Sequence, residues 1–205
     1  MNSSDMPVNA RTLDASCEEA SVREGGLHGP FSQFNEDGVL IFRAHYQNGE
    51  LHGVAYSYDA DGQLLAEITY ENGVRHGESV VYVKGKCLSR TPYKQGVIDG
   101  EERIFTPAGG LASLATYVAG LRQGVAEIYG PEGGVMRREY YVDDLLDGLV
   151  EDFDASGQSV SQIHYKAGVK LSEGAKVKAV RQNGDEGVDP PQASTSFRDF
   201  YDALS

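Results

Sequence analysis

The chain has 205 residues, 40% of them hydrophobic, with no tryptophan and no apolar run near the ~20 residues a membrane-spanning helix needs. Its formal net charge of −13 sets it against nucleic-acid phosphates and anionic lipid, so a partner chosen by charge would be basic. The N-terminus lacks a basic start and an apolar core, and Cys17 and Cys87 fall in different regions; neither a secretory leader, membrane insertion nor a structural disulfide is expected, and the expected compartment is the reducing cytoplasm.

Residues 1–24 are polar and aperiodic, as in a tail that buries too little to fold alone. From residue 25 to 171 one pattern recurs. A glycine falls at Gly29, Gly53, Gly77, Gly100, Gly124 and Gly148, and a tyrosine keeps the same beat from Tyr46 through Tyr70, Tyr93, Tyr117 and Tyr141 to Tyr165. A second aromatic recurs at Phe34, Tyr58, Tyr82, Phe105, Tyr129 and Phe153. Fixed short periods of this kind build stacked arrays, whose function sits on an extended surface.

One unit shows why each repeat is a β-hairpin. Asp61-Gly62 and Asn72-Gly73 are turn dipeptides, because glycine accepts φ > 0 without steric cost. Between them Leu64, Ala66, Ile68 and Tyr70 alternate with Gln63, Leu65, Glu67 and Thr69, the period of a strand with one buried face. Successive hairpins then form an all-β, elongated, twisted antiparallel meander of roughly twelve strands and about 60 Å, at about 4.8 Å per strand. One unit is a residue short after Tyr82, where Val83-Lys84 replaces Asp59-Ala60-Asp61. A deletion in a turn spares the register that a deletion within a strand would invert. In the last full unit Ser159 and Ser161 replace larger residues, Asp144 stands in a glycine position, and Ser172 ends the pattern.

Residues 172–205 begin as a linker with Pro190 and Pro191. A short C-terminal helix is expected after Ser194-Thr195-Ser196, with Phe197, Phe200, Tyr201 and Leu204 on one stripe. Two turns of helix need a surface. That surface is either the open sheet edge or a partner.

The recurring Tyr-x-Asn-Gly-x-x-His-Gly, present from Tyr46 to Gly53 and from Tyr70 to Gly77, resembles the MORN-repeat variant, as does Tyr-x-x-x-Gly-x-Leu over Tyr58 to Leu64. The resemblance covers about residues 25–171 and implies a binding array. Proteins similar in this way include the YwqK-type antitoxin or immunity proteins of bacteria, which neutralise a toxin encoded beside them. It therefore implies a non-catalytic inhibitor that binds a cognate toxin or effector without a cofactor. An effector chaperone or adaptor and a structural scaffold are the alternatives, since one fold serves many roles.

His28, His52 and His76 share one repeat position. Spaced roughly 10 Å apart along a meander, they cannot share an ion whose bonds to nitrogen are about 2.0–2.1 Å. The aromatic series is expected to pack across strands rather than stack on a ligand. No nucleophile–base motif or phosphate loop appears, and catalysis needs groups converging on one atom. One cluster exceeds the background: Asp143, Asp144, Asp147, Glu151, Asp152 and Asp154, with no base among them. Asp152 stands where Ile104 and Ile128 stand earlier. These six acids are either a solvated terminal repeat or, together with Phe197, Phe200 and Tyr201, a surface for a basic partner.

Overall fold

The computed structural model describes residues 21–23 and 26–173. Cys17, the linker after residue 173, and the expected helix with Phe197, Phe200 and Tyr201 lie outside the described residues.

β1 (Ser21–Arg23) pairs with the start of β2 (Gly26–Phe34), which pairs with β3 (Leu40–Gln47). β4 (Glu50–Leu51) and β5 (Gly53–Tyr58) form one interrupted strand, followed by β6 (Leu64–Glu71), β7 (Val74–Val83) and β8 (Lys86–Lys94). The same sequence continues through β9 (Val97–Ile98) with β10 (Gly100–Phe105), β11 (Leu111–Val118), β12 (Leu121–Tyr129) and β13 (Val135–Val142). It ends with β14 (Leu145–Leu146) and β15 (Gly148–Phe153), then β16 (Ser159–Lys166) and β17 (Val169–Glu173). Each strand pairs antiparallel with the next, and the sheet does not close. Counting interrupted strands once, thirteen follow β1 among the described residues. The result is the expected all-β meander, and no helix occurs among the described residues.

Two kinds of turn alternate along the two sides of the sheet. On one side, a side chain at the turn's start accepts backbone N–H groups. Asp59 Oδ1 takes those of Asp61 at 3.0 Å and Gln63 at 2.8 Å, and Asn35 and Asp154 act alike. The shortened unit replaces this loop by Lys84-Gly85 at φ 51° and 74°. Tyr82 still faces Cys87, as Tyr58 faces Leu64, so the deletion is absorbed in the turn.

On the other side every turn has two residues at positive φ, from Asn48 and Gly49 (52° and 85°) to Ala167 and Gly168 (48° and 78°). This is the type I′ geometry matched to strand twist. The second residue's N–H donates to a carbonyl of the preceding unit: Gly49 to Leu27, Gly73 to Leu51 and Gly120 to Ile98, each at 2.8 Å. The following strand then slips by two residues, since Tyr46 faces Leu51 while Arg43 faces Tyr56. A slip of two keeps every side chain on its own face, whereas a slip of one would not.

The central pairing lies within each hairpin. Gly53 stands opposite Tyr70, and the same pairing joins Gly29 to Tyr46, Gly77 to Tyr93, Gly100 to Tyr117, Gly124 to Tyr141 and Gly148 to Tyr165. The two beats of the sequence are thus cross-strand partners. Burial follows the tyrosine face. Ala44, Ala55, Ser79, Thr91, Ile104, Tyr141 and Val150 are buried there, against Val80 alone on the opposite face. The expected row Leu64, Ala66, Ile68 and Tyr70 is only half-buried. No second layer covers the sheet among the described residues, so small side chains beneath larger neighbours are buried best.

Tyr141 is 8% exposed, and Tyr141→Ala is expected to cost about 3 kcal/mol. His52→Ala is expected to cost under about 1 kcal/mol, as outside a core or network. Urea denaturation of both variants checks this; equal losses would mean that the wrong positions have been assigned to the core.

Candidate protein-binding face

The tyrosine face carries a second row beside the turns. Tyr70 pairs with Arg75 and Tyr117 with Arg122, while Tyr46, Tyr93 and Tyr141 pair with Leu51, Ile98 and Leu146. Each arginine reaches over the tyrosine of the next unit. The Arg75 guanidinium lies 5.1 Å from the centre of the Tyr93 ring and donates to its hydroxyl at 3.2 Å. That of Arg122 lies 3.9 Å from the Tyr141 ring centre. Burial pushes Tyr117 and Tyr141 up to about 12, with help from the carboxylates of Glu102 and Glu139 beside them. These hydroxyls therefore remain donors at neutral pH; Tyr141 donates to Glu139 at 2.7 Å.

The opposite face carries the second aromatic ladder and most ion pairs. Tyr129 donates to Glu127 at 2.6 Å, and Arg138 Nε donates to the same carboxylate at 2.8 Å. These bonds, that from Tyr129 first, hold Glu127 below the usual glutamate range. The same contact pushes Tyr129 up to about 12.

The six acids near the chain's last repeat do not converge. Asp143, Asp144 and Asp147 lie at one edge of the sheet, Asp154 begins the turn at the other, and Glu151 and Asp152 point to opposite faces of β15. Most are tied into the array. Asp144 Oδ1 accepts the Arg122 backbone N–H at 2.9 Å and Arg122 Nε at 3.1 Å. Asp147 accepts from Lys166 Nζ at 2.9 Å and from the Ala167 N–H at 3.2 Å. Glu151 accepts from Gln162 at 2.8 Å, and Asp152 from Arg137 Nη1 at 2.9 Å. Asp143 uses its N–H to donate to Gln123 at 2.9 Å, and its side chain is exposed. The same repeat packs well, since Val150 is 1% exposed.

Sequence reasoning missed Arg137 as the reason for Asp152. The signal was present: both depart from the usual residue at cross-strand positions. It also passed over Glu102, which replaces the small Ala55, Ser79 and Ala126 of the same row. Val83, Cys87 and Pro107 line a notch of roughly 190 Å³ beside the shortened turn, with Lys84 and Lys86 at its rim. Among the described residues no group of three or more histidines, cysteines or acids could hold a metal.

The MORN repeat variant matches residues 27–48, 51–72 and 146–167. No curated protein matches the chain. The matched segments begin Leu27-His28-Gly29, Leu51-His52-Gly53 and Leu146-Asp147-Gly148. The intervening units keep the hairpin and its register but begin with Arg75, Ile98 and Arg122.

The carboxylates give the fold a pH dependence. Asp144, Asp147 and Asp154 sit below the usual aspartate range, held there first by the Arg122 N–H, by Lys166 and by Ser156 respectively. Their stabilisation is present above about pH 4, the unfolded value, and is lost as pH falls through the lowered folded values. Tyr117, Tyr129 and Tyr141 at about 12 act in the opposite sense. Their contribution is full below about pH 10 and is lost as pH rises toward the folded value. Urea midpoints should therefore fall on both sides of a neutral plateau, and Asp144→Asn should flatten the acid limb.

Proposed function

We propose that this chain is a non-catalytic, cofactor-free binding protein that neutralises a toxin or secreted effector by covering it in the cytoplasm. The observation that carries this reading is the single-layer sheet. Its tyrosine face runs through every repeat, bears arginines among the tyrosines, and has no second layer over it among the described residues. Tyrosine and arginine are the residue types that dominate binding energy at protein interfaces. The MORN-variant match fits a repeat-based binder or scaffold. Inhibition of a toxin is the finer reading that the sequence resemblance supports.

The acids from Asp143 to Asp154 contribute through their field. Five of the six carboxylates are bonded within the array, yet six acids stand within twelve residues that contain no base. Such a field draws in a basic partner and acts mainly on association rate. Asp143 is the acid that direct contact would use. Phe197, Phe200 and Tyr201 supply a second, apolar point of attachment in this proposal.

Co-expression of the full chain with the protein encoded beside its gene tests the reading. A stable complex with restored growth is expected, and its association should slow as salt rises beyond about 0.1 M, where charges are screened past about 10 Å. Asp143→Asn should slow association by a factor of about two with little change in dissociation, following the behaviour of rim charges. A complex that gives no protection would support the effector-chaperone reading. Neither complex nor protection would end the inhibitor reading.

A further inference from the structure

The geometry points to a slot on the tyrosine face, centred on Glu102, that receives one lysine or arginine side chain from a protein partner. Ser79, Thr91, Glu102 and Ala115 follow one another across four strands on this face. Their row is apolar on one side of this stretch, at Ala55 and Ile68, and small beyond it, at Ala126.

The carboxylates of Glu139, Asp152 and Asp144 on this face are matched, while Arg75 bonds to Tyr93 and to no carboxylate among the described residues. Arg137 meets Glu139 at 2.6 Å and Asp152 at 2.9 Å, and Arg122 meets Asp144 at 3.1 Å. Glu102 has no lysine or arginine within ion-pair distance among the described residues. It is half-buried, accepts the Thr91 hydroxyl at 3.0 Å, and lies beside the hydroxyl of Tyr117. Hydroxyls orient a carboxylate without cancelling its charge, and an uncompensated, partly desolvated charge favours a cation brought from outside.

Two further observations mark the place. Ser79 is 6% exposed and its Oγ has no hydrogen-bond partner. A buried hydroxyl left unpaired is uncommon in folded chains. Ser79 lies two strands from Glu102, roughly 10 Å, with its Oγ sealed beneath neighbouring side chains, so a bound segment would reach that hydroxyl only where those side chains moved aside. The tyrosine rings of this face also take guanidinium groups already, at Tyr93 and Tyr141. At Tyr117 the repeat supplies Ile98 in the position of Arg75 and Arg122, so no guanidinium from the preceding unit lies over that ring, and Arg122 stands beside it across the strand.

The slot names the chemistry of the partner's contact, and it rests on the protein-binding reading only for the source of that side chain. Its test needs no partner. The full chain, labelled with ¹⁵N, is titrated with N-acetyl-arginine amide, N-acetyl-lysine amide and the uncharged N-acetyl-norleucine amide. The two cations should shift the amides of Thr91, Glu102 and Ala115 with a dissociation constant on the order of 10 mM, and norleucine should not. Glu102→Gln keeps the acceptor for Thr91 and removes the charge. It should keep the wild-type thermal midpoint and weaken cation binding at least about five-fold. Equal shifts from norleucine, no shifts at all, or undiminished binding by Glu102→Gln would overturn the proposal. So would movement of resonances from residues 174–205 on Glu102→Gln with no probe added, because the chain's own lysines or arginines would then fill the slot. Cation binding here together with failure of the co-expression test would remove the toxin-inhibitor reading and leave the slot standing.

Discussion

The stacking of one hairpin on the next depends on one constraint at the edge of the sheet. Each type I′ turn that joins one hairpin to the next holds two successive residues at positive φ, and the second donates its N–H to the preceding unit at 2.8–3.1 Å. The turn therefore bonds to the strand beside its own hairpin as well as closing the loop. Left-handed geometry is nearly free for glycine and costly for other residues. Asp144, at φ 66°, is the non-glycine residue in this second position, and its side chain answers the cost with bonds to Arg122. The acid that looked anomalous in the sequence is thus a local replacement for a glycine.

That bond accompanies the two-residue slip between units, while the pairing of glycine with tyrosine is set within each hairpin, in register with the turn on the other side. A tyrosine opposite glycine meets no side chain across the strand, so its ring is free to engage neighbours along the array. This is why Arg122 can lie over Tyr141 and Arg75 over Tyr93. A single-layer sheet has little deep interior, and its cohesion comes from cross-strand pairs, each modest in energy. Such a protein keeps its large residues half-exposed along a face, the arrangement a binding surface needs and a sealed core does not supply.

The fold could be read from the sequence because its signals are local. The turn dipeptides Asn48-Gly49 and Asn72-Gly73, the alternation from Leu64 to Tyr70, and the deletion after Tyr82 each determine structure within a few residues. The roles of charged side chains could not be read in the same way, because they depend on register. Asp152 looked like a polar residue in an apolar position until Arg137 was placed directly across from it. Asp147 is satisfied by Lys166, 19 residues away in sequence. Glu151 and Asp152 are consecutive and face opposite ways, so their closeness in sequence overstated their closeness in space. Glu102 escaped notice for the converse reason: nothing adjacent in sequence shows that a half-buried carboxylate lacks a cation.

Native-state hydrogen exchange tests the central constraint most directly, because the two sides of the sheet serve as each other's control. The amides of Gly49, Gly73, Gly96, Gly120, Asp144 and Gly168 donate to a preceding unit, while those of Gly38, Gly62, Gly109, Gly133 and Gly157 donate within their own turns. If the inter-unit bond holds the register, the first set exchanges only with opening of the sheet, as slowly as the strand amides, and the second exchanges faster by local opening. Equally fast exchange in both sets would contradict the account, and would show that the register is held by the strands alone.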